Sequence, residues 1–292
     1  MKYAWIAENR DSFPIARMCR TLGVSPSGYY AWRKREPSPQ SRRRDQIAQA
    51  AVEAYQESYG VYGYRKVHDD LQEQEVECCR ETVRKILHEK GLFSRAKRKF
   101  VVTTDSQHTM PVAENLLDRQ FEATGPNQKW AADITYLATD EGWLYLAVVM
   151  DLFSRRITGW SMSDSLQSQL VLDALMMATA ARRPGDDLLH HSDRGSQYAS
   201  DAFQELLRRH TISCSMSRKG NCWDNAPVES FFGKLKTEWV HGKHYFTRAA
   251  AETDIFKYIE LFYNRKRKHA ALGYLSPVDF ENSTKTELET AA

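Results

Sequence analysis

The order of apolar segments between residues 128 and 216 constrains this 292-residue chain more than any other feature. Runs near 128–138, 143–153 and 156–162 read as three consecutive strands, rich in β-branched and aromatic residues. A helical period follows near 165–182, then a strand near 187–192, a helix near 200–210 and a strand near 211–216. After the loop RKGNCWDN a further helix starts at Ala226. That succession specifies an α/β fold class, a mixed sheet flanked by helices. The longest apolar run, Leu144 to Met150, is far too short to cross a bilayer and reads as a buried strand.

Three carboxylates occupy different settings within this region. Asp133 lies midway in the alternating strand WAADITYL, where a charge is costly to bury unless a cation or hydrogen bonds compensate it. Asp193 ends the strand LLHHS and precedes the turn Arg194-Gly195, with Ser200 placed to cap the next helix. Carboxyl ends of strands in open α/β sheets are where functional groups collect. Glu229, separated from Asp193 by thirty-five residues, sits on a helix with two stripes. Val228, Phe232, Leu235 and Trp239 are spaced for burial, while Glu229, Gly233 and Lys236 line an adjacent face. Asp224 or Asn225 is placed to cap this helix and Pro227 fits its first turn. Glu229 then stands near the positive end of the helix dipole, which favours its ionised form.

Two like charges about 5 Å apart repel by roughly 3 kcal/mol at an effective dielectric near 20, so three converging acids call for cations. Hard oxygen ligands from separate elements suit two Mg²⁺ ions, with Mn²⁺ able to substitute, held against a DNA phosphate. Each residue has a plainer reading: Asp133 as an edge-strand or satisfied structural acid, Asp193 as a turn residue, Glu229 and Lys236 as a solvent-facing pair. Asp151 is kept as a structural acid of the same strand edge. His190 and His191 alternate across a strand, and core or surface roles suit both.

Charge is distributed unevenly along the chain. The first 104 residues carry 20 basic against 13 acidic side chains, and the rest 21 against 25. A polyanion contacted by the amino-terminal part is the simplest physical reading, and a solvated basic surface the alternative. Residues 1–36 form a helix-turn-helix pattern, with Ile15, Met18, Cys19 and Leu22 at helical spacing, Gly23 as breaker and Ser25 as cap. Residues 40–100 form a second helical unit, in which Cys79, Val83, Ile86 and Leu87 share one face and Arg80, Arg84 and Lys85 the other. The basic run Arg95, Lys97, Arg98, Lys99 follows, and Arg265 and Arg267 end the later helix IFKYIELFYN. All of these are candidate phosphate contacts. Residues 101–125 read as a linker with a short helix near Ala113 to Gln120, ahead of a core at 126–245 and a carboxyl-terminal helix with a basic tail at 246–292. The five cysteines show neither a CxxC pair nor zinc spacing, so a reducing cytoplasm is the expected setting.

The segments CRTLGVSPSGYYAW, YGYRKV, NQKWAADITYL, LYLAVVMDLFSRRITGW, HHSDRGSQYAS, SRKGNCWDNAPVESFFGKLKTE and YNRKRKHAALGYLSP carry a resemblance. From about Phe13 to Phe280 the chain resembles the OrfB proteins of family-three insertion sequences, bacterial transposases with a retroviral-integrase-like core. The resemblance implies an RNase H-like catalytic domain behind an all-α amino-terminal region. It implies that Asp133, Asp193 and Glu229 are a metal-binding DDE triad and that Lys236 touches DNA near the reactive phosphate. Asn225 also matches the family pattern and is taken as a DNA contact. Implied partners are double-stranded DNA, both terminal inverted repeats and target, further copies of the chain, and an upstream OrfA product. The implied place is the bacterial nucleoid. Taken without the resemblance, the residues also suit a DNA-binding regulator or a structure-selective nuclease.

Overall fold

The computed structural model describes residues 1–94, 112–218 and 222–291. Arg95, Lys97, Arg98 and Lys99 therefore lie outside the described residues. The chain divides into two compact units, Met1–Ala54 with Val67–Gly91, and Tyr55–Lys66 with Leu92–Ala292. No described helix is long and apolar enough to cross a membrane.

The first unit is helical. It opens with α1 (Lys2–Glu8), α2 (Ile15–Thr21) and α3 (Pro26–Lys34). Gly23 takes the left-handed conformation (φ 61°) between α2 and α3, and Ser25 Oγ accepts from the Gly28 amide at 2.9 Å, closing the cap of α3. Ile6 of α1 joins Met18, Cys19 and Tyr29 in a buried cluster. Then come α4 (Pro39–Glu57), α5 (Tyr64–Glu73) and α6 (Arg80–Glu89). Val83, Ile86 and Leu87 of α6 are buried as their spacing predicts, and Gly91 follows with φ 67°. Cys79 is exposed instead of sharing that face, because it stands at the amino-terminal cap position.

The second unit holds a five-stranded sheet in the order β3-β2-β1-β4-β5. β1 (Lys129–Thr139), β2 (Gly142–Asp151) and β3 (Ile157–Ser163) pair antiparallel, and β4 (Leu189–Ser192) and β5 (Ser213–Met216) continue in parallel from β1. Helices α7 (Ser168–Arg182), α8 (Ser196–Ala199) and α9 (Asp201–Arg209) connect the strands. One core joins Trp130, Ala132, Ala147 and Val149 of the sheet to Leu175 and Ala178 of α7 and Phe203 of α9. Helix α10 (Ala226–Lys234) runs on as a π-helix over Leu235–Val240, and α11 (Arg248–Phe256) as another over Lys257–Tyr263. The last helix is α12 (Pro277–Ala291).

Residues 113–120 form no helix. Asp118 and Arg119 adopt positive φ (38° and 61°), while the amides of Leu116 and Leu117 donate to Ser215 Oγ at 3.0 and 3.1 Å. Asp151 is fully buried and structural: it accepts from the Asn127 and Phe153 amides and pairs with Arg182 at 3.1 Å. Arg182 also pairs with Glu281 at 2.6 Å, fastening α12 to the core through a shared guanidinium.

Candidate active site

Strand pairing sets the first two acids. Ala131 of β1 lies opposite His191 of β4 in parallel register. The pairing ends there; Asp133 lies two residues further along β1 and Asp193 just past the end of β4, so both acids follow directly on the paired stretch of the two strands. Asp133 points to the sheet face turned away from α7, since Trp130 and Ala132 take the α7 side, and Asp193 lies close enough to act on its charge. Asp193 Oδ1 accepts from the Gly195 amide at 2.9 Å, which closes the turn after β4. Ser200 caps α9 as expected, accepting from the Phe203 amide at 3.4 Å.

The third acid arrives on α10, which packs on β1. Asn225, just before α10, does not cap it: its side chain makes no cap bond, and its Nδ2 instead donates to the Ala132 carbonyl at 3.0 Å. Buried to 4% exposure, Asn225 ties the start of α10 to the residue preceding Asp133, a positioning role in place of the expected DNA contact. Val228, Phe232, Leu235 and Trp239 are buried as their spacing predicts, leaving Glu229, Gly233 and Lys236 on the more accessible side.

Electrostatics binds these groups together. Burial pushes the Asp133 carboxyl well above the usual carboxylate range, and Asp193 and Glu229 push it further; the Ile134 amide at 2.8 Å and Lys236 act against them. By exposure Asp133 is half-buried. Burial also raises the Glu229 carboxyl above its usual range. Lys236 is lowered by burial and raised by Asp133, and its Nζ lies 5.0 Å from the centroid of the Tyr136 ring. The buried Tyr198 phenol is pushed up by desolvation and by Asp133 and Asp193. Nothing in the sequence singled out Tyr198, whose place depends on the α8 turn.

An excess of desolvated negative charge with hard oxygen donors fits divalent cations of the Mg²⁺ type. Among the described residues, no three His, Cys, Asp or Glu side chains converge tightly enough to enclose one ion. Mg²⁺ is ordinarily held by one or two carboxylates, with water and substrate phosphate completing its shell, so a set of acids spread over three elements suits it.

Other expected contacts fall elsewhere. Arg267 is 5% exposed and paired with Glu238, which keeps its guanidinium charged in the interior; burial and pairing remove it from phosphate contact. Arg265 is exposed. On α6, Arg84 pairs with Glu81 at 2.7 Å, Lys85 approaches the same Glu81 at 3.9 Å and Arg80 lies 4.0 Å from Asp69, all with side chains about half exposed or more. His190 and His191 are both core residues. Burial lowers them to about 3 and about 4, and His191 bonds Ser215 Oγ and Ser217 Oγ. Asp224, read only as a possible cap, is fully buried and accepts from Asn115, Arg119 and Arg218. The bonds with Arg218 hold it below the usual carboxylate range despite its burial.

Family comparisons agree with this layout. Sequence models described as Integrase core domain match residues 123–222 and 229–284, and one described as HTH-like domain matches residues 42–100. Among solved structures, a chain of the simian T-cell lymphotropic virus intasome is similar with a TM-score of 0.46 at 19% identity, over 78% of this chain and 73% of that one. The HTLV-2 integrase catalytic core domain in complex with magnesium is similar with a TM-score of 0.40 at 18% identity, over 54% of this chain and 98% of that one. Transposase InsF for insertion sequence IS3A from Escherichia coli (strain K12) is 46% identical over 284 residues, 97% of this chain and 99% of the relative. Similarity of that depth, running through both helical region and integrase core, means that the chain belongs to the transposases of IS3-type insertion sequences.

Proposed function

We propose that the chain binds the ends of its insertion sequence and catalyses metal-dependent DNA strand cleavage and strand transfer through Asp133, Asp193 and Glu229. The observation that carries this reading is Asp133 itself, a desolvated carboxylate crowded by two further acids and opposed by one lysine and one backbone amide. Burial raises the Asp151 carboxyl too, but there two amides and the Arg182 guanidinium answer it and no further acid crowds it.

In this reading Asp133, Asp193 and Glu229 hold two divalent cations, Mg²⁺ or Mn²⁺. Such ions, when bound, activate water or a 3′-hydroxyl and stabilise the leaving 3′-oxygen. The parallel register of β1 and β4 fixes two of the acids relative to each other, and Asn225 fixes the approach of the third. Lys236, held beside Asp133, supplies a positive charge to the DNA phosphate. Arg80, Arg84, Lys85 and Arg265 are further backbone contacts, since exposed guanidinium and ammonium groups exchange one anion for another at little cost. The segments 1–36 and 40–100 bind DNA, 101–125 joins them to the catalytic segment 126–245, and 246–292 completes it. Two ends must be paired, so the chain acts as a dimer or larger assembly, with an OrfA product as a further partner.

The test is incubation of the full chain with a labelled duplex of the element's end and a target duplex. In Mg²⁺, a released 3′-hydroxyl and a joined product are expected, and neither in EDTA. Binding with no nicking in Mg²⁺ or Mn²⁺ would favour a regulator, and nicking that never yields a joined product a nuclease.

A further inference from the structure

We propose that Trp223 is a stacking platform for an unpaired nucleobase of the DNA substrate, an inference that rests on the strand-transfer reading. Trp130 and Trp239 are 0% and 4% exposed, whereas the Trp223 indole is 68% exposed. It stands on the short turn Cys222–Asn225, and the last two residues of this turn are bonded inward. Asp224 is fully buried, with donors from Asn115 Nδ2 at 2.9 Å, Arg119 Nε at 3.0 Å and the Arg218 amide at 2.9 Å. Asn225 is held on the Ala132 carbonyl. With both of these side chains committed inward, the backbone that carries Trp223 is anchored.

The location gives the ring its use. The anchor of Asn225 is the residue next to Asp133, and Glu229 lies six positions beyond Trp223 in the first turn of α10. The turn that carries the ring is therefore tied to the strand residue next to Asp133 and leads directly into the helix of Glu229. A phosphate drawn down to a largely buried Asp133 has to leave the regular course of a duplex, and a nucleotide pulled out in this way exposes the face of its base. Every base has a π face, so an indole can receive it whatever the sequence, and a ring on a fixed turn loses little freedom in doing so.

The probe is a frayed duplex carrying 2-aminopurine at each of its last three unpaired positions, bound by the full chain without divalent metal. Quenching at one position is expected, lost in Trp223→Ala and kept in Trp223→Phe and in Asp133→Asn. With element-end DNA in Mg²⁺, Trp223→Ala should cleave about 5- to 150-fold more slowly, the factor that one stacked base is worth. The deficit should vanish when the contacted nucleotide is made abasic. Quenching unchanged in Trp223→Ala, a deficit that persists at every abasic position, or a lowered melting temperature of Trp223→Ala would overturn the proposal. Trp223-dependent quenching by a wild-type chain that never cleaves would instead leave stacking intact and sink the strand-transfer reading.

Discussion

Asp133→Asn is expected to abolish strand cleavage, by about 10³-fold or more, while raising the melting temperature of the metal-free protein. The first effect follows if the carboxylate holds the cations, since their charge stabilisation is worth several kcal/mol and each 1.36 kcal/mol is about tenfold in rate. The second follows from the direction of its pKa, which burial, Asp193 and Glu229 all raise. An acid raised above its unfolded value of about 3.9 stabilises the fold most fully below that value, and the contribution is lost as pH rises through the folded one. Ionising Asp133 without metal is thus a burden that asparagine lacks. Thermal melts in EDTA from pH 4 to 8 should therefore show the variant gaining on the wild type as pH rises. Adding Mg²⁺ or Mn²⁺ should raise the wild type and leave the variant nearly unmoved. Equal melts at every pH, or equal cleavage, would remove Asp133 from the site.

Gly159→Ala is expected to be the most damaging small substitution in the sheet. A Cβ at Gly159 would collide with the Ala174 carbonyl oxygen and lie 2.7 Å from both the amide nitrogen and the Cβ of Ala178. These are largely backbone atoms of α7, which cannot swing aside as a flexible side chain would. α7 would have to lift from β3, loosening the core around Leu175 and Trp130. A cost of roughly 3 kcal/mol is expected, or about 6–12 °C in melting temperature. Gly233→Ala is the control: a Cβ there meets nothing within 4 Å, and the helical position should gain stability. A Gly159 variant melting with the wild type would contradict the close packing of α7 on β3.

The sheet was legible because its strands carry their own periodicity, and the three acids could be picked out as candidates from their settings: a charge within a strand, a strand end and one stripe of a helix. What escaped depends on partners distant in the chain. Arg267 reads as a surface cation until Glu238, twenty-nine residues earlier, is found beside it. Asn225 reads as a cap because capping is local, whereas its bond to Ala132 spans 93 residues. The segment 113–120 has helical spacing, yet Ser215 takes two of its amides. α1 went unread because seven residues with a single buried side chain, Ile6, show no period.

The most direct measurement is anomalous diffraction from crystals of the full chain grown with element-end DNA and Mn²⁺. Peaks within coordination distance of Asp133 and Asp193, and of Asp133 and Glu229, are the predicted result. Manganese bound only elsewhere, with these three carboxylates engaged by protein donors alone, would contradict a metal-dependent site built on them.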